Sequence, residues 1–217
     1  MRNLLPTLAS CCLAGGMALS TTGLASTTKT LQFAVFLDEK PIGTHRFRLE
    51  ERADGLVSES DAAFDVKFLF INAYRYRHHS RELWQDGCLR KLEATTDNNG
   101  ERYSVRGTPA SSGFLVKGET ENEVRDPCAM TFAYWDKRIL EQDRLINPQT
   151  GEVVDVAVTD EGLDRIRVDG REMAARRYRL TAEGLDIRLW YDERERWLAL
   201  ESRIEDEYLL SYRAIGR

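Results

Sequence analysis

The sequence predicts a mainly β protein: a curved antiparallel sheet, a meander forming an open or half barrel, with one short covering helix near residues 126–144. Three observations lead there. Apolar and polar residues alternate with a period of two along most of the chain, Gly-containing turn pairs recur at short intervals, and the connections are too short for parallel crossovers. A sheet with one apolar face must bury it by curling on itself or by taking a cover.

The strands begin after a leader. Met1–Ala25 carries one positive residue, Arg2, no acidic residue, an apolar middle and a small-residue exit at Gly23-Leu24-Ala25. That is the pattern of a secretory signal peptide, so the expected organisation is a signal peptide over 1–25 and a single antiparallel β domain over 26–217. Gly15, Gly16 and Ser20-Thr21-Thr22 interrupt the apolar run well short of the about 18 residues a membrane span needs. Leu8-Ala9-Ser10-Cys11 also has the spacing of a lipoprotein cleavage site, but more apolar sequence follows Cys11 instead of a polar tether. The expected location is the periplasm, with an outer-membrane lipoprotein as the disfavoured alternative. Later uncharged stretches, such as Gly107 to Val116, are too short to span a bilayer, so no integral membrane segment is expected once the leader is removed.

Turn pairs lie at Asp54-Gly55, Asp86-Gly87, Asn99-Gly100, Glu161-Gly162, Asp169-Gly170 and Glu183-Gly184. Each is expected to join two strands, because Asn, Asp and Gly tolerate the positive φ of a tight hairpin. Between them Phe64, Val66, Phe68 and Phe70 share one face. Ile187, Leu189 and Tyr191 share another, and so do Leu198, Leu200 and Ile204, then Tyr208, Leu210 and Tyr212. The covering helix is placed by Asp126-Pro127, an N-cap followed by proline, with Phe132, Trp135, Ile139 and Leu140 on one stripe. Met130, Phe132 and Tyr134 in the same stretch also have strand spacing.

Composition narrows the partners. Of 217 residues 42% are hydrophobic and 31% charged, and the net charge is −5. Removing the leader takes away Arg2 and makes the charge more negative, so no overall basic field points to a nucleic-acid partner. Cys88 and Cys128 remain after the leader, and an even count in an exported chain predicts a disulfide, against the alternative of two buried thiols.

Candidate binding residues are the aromatics Phe64, Phe68, Phe70, Tyr74, Tyr76, Trp135 and Trp190, which would line an apolar concavity for a lipid-like or other apolar ligand. His45 and His78 are candidates for a polar spot inside it. Arg75, Arg77 and Arg81, on one strand face with His79, suit anionic headgroups; the competing reading is a solvated face studded with acidic partners. His78 and His79 are adjacent and point to opposite faces, which argues against a shared metal. No Gly-x-Ser-x-Gly, paired His-Glu metal motif or phosphate-cradling loop occurs, so no catalytic residue, metal or cofactor is assigned. Asn147-Pro148-Gln149-Thr150-Gly151 resembles a sortase pentapeptide, but strand-like sequence follows it, and Pro and Gly there read as a turn.

Ala133-Tyr134-Trp135-Asp136, Leu145-Ile146-Asn147-Pro148-Gln149-Thr150-Gly151, Leu189-Trp190-Tyr191-Asp192 and Trp197-Leu198-Ala199-Leu200-Glu201 together resemble a domain-of-unknown-function family of exported Gram-negative bacterial proteins. The likeness covers roughly Leu31 to Arg217. More distantly, the strand order and the late Trp-Tyr-x-Asp hairpin resemble the periplasmic lipoprotein-localisation carriers, whose curved sheet wraps an apolar cavity. The resemblance implies a non-catalytic periplasmic protein that holds a hydrophobic or amphipathic ligand on its concave face. A structural or interaction protein of the envelope is the alternative, and a hydrolase of envelope polymers comes third.

Overall fold

The computed structural model describes residues 27–68, 71–126, 128–204 and 207–216. The predicted leader, Phe70 and Pro127 lie outside the described residues. Among the described residues there are fifteen strands: β1 (Thr28–Leu37), β2 (Lys40–Arg52), β3 (Gly55–Phe68), β4 (Ile71–Gln85), β5 (Cys88–Asn98), β6 (Glu101–Ala110), β7 (Gly113–Lys117), β8 (Glu121–Val124), β9 (Arg144–Ile146), β10 (Val153–Asp155), β11 (Ala157–Val168), β12 (Arg171–Ala182), β13 (Leu185–Tyr191), β14 (Trp197–Ile204) and β15 (Tyr208–Ile215). Thirteen form one curved antiparallel sheet in the order β11-β12-β13-β14-β15-β1-β2-β3-β4-β5-β6-β7-β8, not closed into a barrel, and β9 and β10 pair separately.

Two meanders run outward from the middle. The first strand is paired on both sides, to β2 and to the last strand, with Phe33 opposite His45 and Ala214. The edges are therefore β8 and β11, which the chain connects through residues 125–156.

Turn chemistry explains the hairpins. Asp86-Gly87, Asn99-Gly100 and Asp169-Gly170 have positive φ at both positions, the backbone that matches the twist of paired strands. Asp38-Glu39 does the same without glycine, at φ 46° and 65°, so the β1–β2 hairpin carries no Gly signal. Glu161-Gly162 is not a turn. It lies within β11 as a bulge, where the register slips between Asp160 and Gly162 and Asp160 Oδ1 accepts the Gly162 N–H at 2.9 Å.

The covering helix shrinks to one 3₁₀ turn, Lys137–Glu141, capped by Asp136, whose side chain accepts the Arg138 N–H. The residues before it are extended because their backbone is committed elsewhere: Leu89 N–H donates to Ala129 O, Ile146 N–H to Met130 O and Phe132 N–H to Ile146 O. Ala129, Met130, Thr131 and Ala133 are all buried, which suits a strand threaded through an interior better than a one-sided helix.

This connector fills the concave side of the sheet. Trp135 packs edge-on against Trp84 at 5.4 Å, Tyr134 lies 5.4 Å from Trp197, and Trp197 stacks on Phe33 at 4.0 Å. Tyr191 donates its hydroxyl to Tyr134 O, Thr96 to Gln149 O and Asn122 to Gly151 O. At Gly118 the backbone of Thr150 comes so close that a Cβ would lie 2.0 Å from its carbonyl oxygen, so only glycine fits.

A disulfide joins Cys88, at the start of β5, to Cys128, with Cα atoms 4.6 Å apart and a sequence separation of 40. It ties the entry of the connector to the sheet. Loop-closure entropy values such a bridge at roughly 4 kcal/mol. Replacing both cysteines by serine is expected to lower the unfolding free energy by that order, measured by urea denaturation under non-reducing conditions, while the wild type loses the same amount on full reduction.

Candidate functional site

The inner face is built from every second residue of the central strands. Phe33, His45, Ala62, His78, Thr96 and Tyr103 stand in one row across β1 to β6, so the two histidines flank Ala62 on the same face. His45 Nε2 lies 2.6 Å from Ser60 Oγ and Nδ1 3.4 Å from Tyr212 Oη, with the ring stacked on Phe47 at 4.1 Å. His78 Nδ1 lies 3.0 Å from Thr96 Oγ1. Burial holds both imidazoles neutral, His45 down to about 3 and His78 to about 4 from an ordinary 6.5.

The Ser60–His45 contact has the spacing of a nucleophile and its base. Its chemistry does not follow, because an imidazole depressed to about 3 takes up a proton too weakly to activate a hydroxyl at neutral pH. Ser60 sits in mid-strand, and the group behind His45 is a tyrosine rather than a carboxylate. The contact satisfies buried polar atoms.

Of the aromatic candidates, Phe64 and Tyr76 stack at 5.2 Å on the inner face, each 8% exposed, and Trp135 reaches that face from the connector. Trp190 lies on the opposite face from Leu189, where its indole N–H donates to Asp164 Oδ2 at 2.9 Å. Tyr74 is exposed and donates to Asn98 Oδ1. Phe68 forms the last rung of β3–β4 opposite Ile71. The structure therefore brings together Phe64, Tyr76, Trp135, His45 and His78, but not Tyr74 or Trp190.

The arginines stand on the outer face, each with an acid. Arg75 pairs with Asp97 at 3.0 Å, Arg77 with both oxygens of Asp65 at 2.8 and 3.0 Å, and Arg81 with Glu59, while His79 meets Asp61 at 2.9 Å. Beside them runs an outer trough of about 850 Å³ over Gln32, Thr44, Arg46, Ala63, Thr95 and Ser104. Charged Arg46, Asp61, Arg77, Asp97 and Arg102 also line it. No group of His, Cys, Asp and Glu among the described residues is arranged to hold a metal ion.

Residues 33–214 match the model of a family described as a domain of unknown function, DUF6134. The chain belongs to this family. No curated protein matches the chain. A crystal structure titled as a beta-barrel-like protein of domain of unknown function DUF1849, from Brucella abortus, is similar to this DUF6134 chain with a TM-score of 0.60. The match covers 86% of this chain and 95% of that one at 10% identity, a likeness of fold alone.

One polar residue of the DUF6134 interior escaped the sequence reading. Glu82 is buried on the inner face, where its Oε2 accepts from Ser58 at 3.0 Å and from the Trp84 indole at 3.1 Å, with Thr131 of the connector as a third partner. Burial raises its carboxyl to about 7, against the hydrogen bonds that lower it. The signal was present as strand parity: Tyr76, His78, Ser80, Glu82 and Trp84 alternate along β4.

These groups give stability a definite pH dependence. Below pH 6.5 the unfolded chain protonates its histidines while the native one does not, so stability falls with acidification until about pH 3 to 4. Glu82 acts the other way, keeping its proton in the native state between pH 4.5 and 7, so its contribution is lost as pH rises through that window. Two histidines against one carboxyl make the net trend downward on acidification from pH 6.5, and steeper below 4.5. Thermal melting across pH is expected to show this. Substituting His78→Gln should flatten the acid limb, and Glu82→Gln should steepen the fall in stability on acidification between pH 6.5 and 4.5.

Proposed function

We propose that this protein is an exported, non-catalytic binding protein of the bacterial periplasm whose interior is closed by its own connector and which acts through its outer surface. The burial of the inner aromatic face carries this reading. Phe33, Phe47, Phe64, Tyr76 and Tyr212 are all buried, and Tyr134 stands in the space that a ligand of the concave face would occupy. The leader-like start of the sequence and the Cys88–Cys128 bridge support export to an oxidising compartment. No helix among the described residues is long and apolar enough to cross a membrane. The weak basicity of His45 speaks against the hydrolase reading.

A second reading keeps a lipid-like ligand on the concave face. It is favoured by the polar stripe of Ser58, Ser60, His78, Ser80, Glu82 and Thr96 that runs beside the aromatics and gives the lining an amphipathic character. It requires residues 129–151 to withdraw. Native mass spectrometry of protein purified from the periplasm separates the two. The closed-interior reading expects the mass of the bare, bridged chain, and a retained lipid lost only on unfolding would overturn it.

A further inference from the structure

The outer face of the central strands is hollowed along its middle. One row of side chains across it runs Gln32, Arg46, Asp61, His79, Thr95 and Ser104, and the next runs Thr44, Ala63, Arg77, Asp97 and Arg102. Both rows line the trough of about 850 Å³, where Ala63 offers only a methyl group between long neighbours. The adjoining row, Arg48 to Arg106, is made of long charged side chains throughout and walls that side. Crossing six strands makes the trough roughly 24 Å long, and two rows make it about 7 Å wide.

The charges in it are answered within the protein. Arg77 gives Nη1 to Phe64 O and Tyr76 O and Nη2 to Asp65. Arg46 meets Asp61 at 3.4 Å, and Asp97 accepts from Arg75 and from the Gly100 N–H, with Arg102 3.9 Å away. Each cation stands beside an acid, so the trough does not call for a phosphate or a carboxylate. What is left over is neutral. Gln32, Thr44, Thr95 and Ser104 are exposed, and their amide and hydroxyls have no partner among the described residues. His79 Nδ1 lies 2.9 Å from Asp61 Oδ1; a carboxylate only accepts, so Nδ1 carries the proton and Nε2 is left as the acceptor of the neutral ring.

A ligand that fits must donate and accept neutral hydrogen bonds repeatedly along a line, and must lay carbon against Ala63 and the threonine methyls. A sugar ring does both, with hydroxyls around its edge and C–H groups on its faces. A hydrocarbon chain would leave the trough's hydroxyls unpaired, and an added peptide strand needs a sheet edge, which these middle strands do not offer. We propose that the outer trough binds a neutral glycan, a straight chain of beta-linked pyranose rings laid across β1 to β6. Straightness follows from the trough's shape, since an alpha-linked chain coils away from a line of this length. The proposal rests on the outer-surface reading and names its ligand class.

Isothermal titration calorimetry of the intact, bridged protein tests it, with chitohexaose as the straight probe and maltohexaose as the coiled one. Chitohexaose is expected to bind with a Kd below about 1 mM, and maltohexaose at least about tenfold more weakly. Thr95→Ala with Ser104→Ala should weaken chitohexaose about tenfold by removing two hydroxyls, and Ala63→Ile should abolish binding by filling the floor. All three positions are exposed, and thermal melting checks that the variants fold. Amide NMR shifts in the wild type supply a second readout, and are expected to move at Ala63, Thr95 and Ser104. No binding of chitohexaose, equal binding of maltohexaose, unchanged affinity in the variants, or shifts confined to other strands would each overturn the proposal. Native mass spectrometry reads a retained lipid and not a glycan, so the closed-interior reading and this one fail separately.

Discussion

The structure depends on one topological constraint: the chain must travel from β8 at one edge of a curved sheet to β11 at the other. Placing β1 between β2 and β15 makes each half a local meander, which closes with short loops, but it leaves the two halves ending at opposite edges. On a curved sheet the concave side is the direct path between them. A segment on that path replaces water over the apolar face and removes the need to close the barrel. It also has to satisfy its own backbone away from water. The β9–β10 pair, the Thr131–Ile146 bridge and the bonds to Leu89, Asn122 and Thr96 supply those partners.

The polar stripe beneath the connector follows from the same arrangement. An apolar strand face packs on side chains, whereas an extended connector also presents carbonyls and hydroxyls that need complements. Thr96 serves both His78 and Gln149 O, and Glu82 gathers Ser58 and Trp84 at one oxygen, with Thr131 a further partner. Burial then decides the charge state of each group. Desolvation pushes the imidazoles down and the carboxyl up, so all three are driven toward neutrality. A neutral network in low dielectric rigidifies the interior. The same neutrality makes His45 a poor base despite its contact with Ser60.

What could be read from the sequence was local. Period-two alternation and turn pairs such as Asn99-Gly100 depend on the backbone of a few residues, and they predicted the antiparallel sheet. Glu161-Gly162 looks the same to that test, since a bulge and a turn both use glycine at positive φ. Deciding between them takes the partner strand β12. Asp38-Glu39 makes its turn without glycine, held in part by Asp38 bonding across to Leu209. Asp126 to Arg144 shows helical and strand spacing together, and long-range bonds to Leu89 and Ile146 chose the extended form. For the site, parity alone was enough to separate Trp190 from Leu189 and to place Glu82 with His78. The pairing of His45 with Ser60 and Tyr212 spans strands far apart in the chain and was not legible.

A filled interior moves recognition outward, and the outer face limits where it can occur. Arg48, Glu59, Arg81, Glu93 and Arg106 stand in one row across β2 to β6, with charges alternating in sign. Exposed pairs of this kind add little stability individually, but they leave no apolar strip along the outer face of these strands and make it costly to desolvate. The sheet edges are also interrupted: β8 has four residues, and β11 carries the bulge, with Leu163 and then Arg165 and Arg167 exposed beyond it.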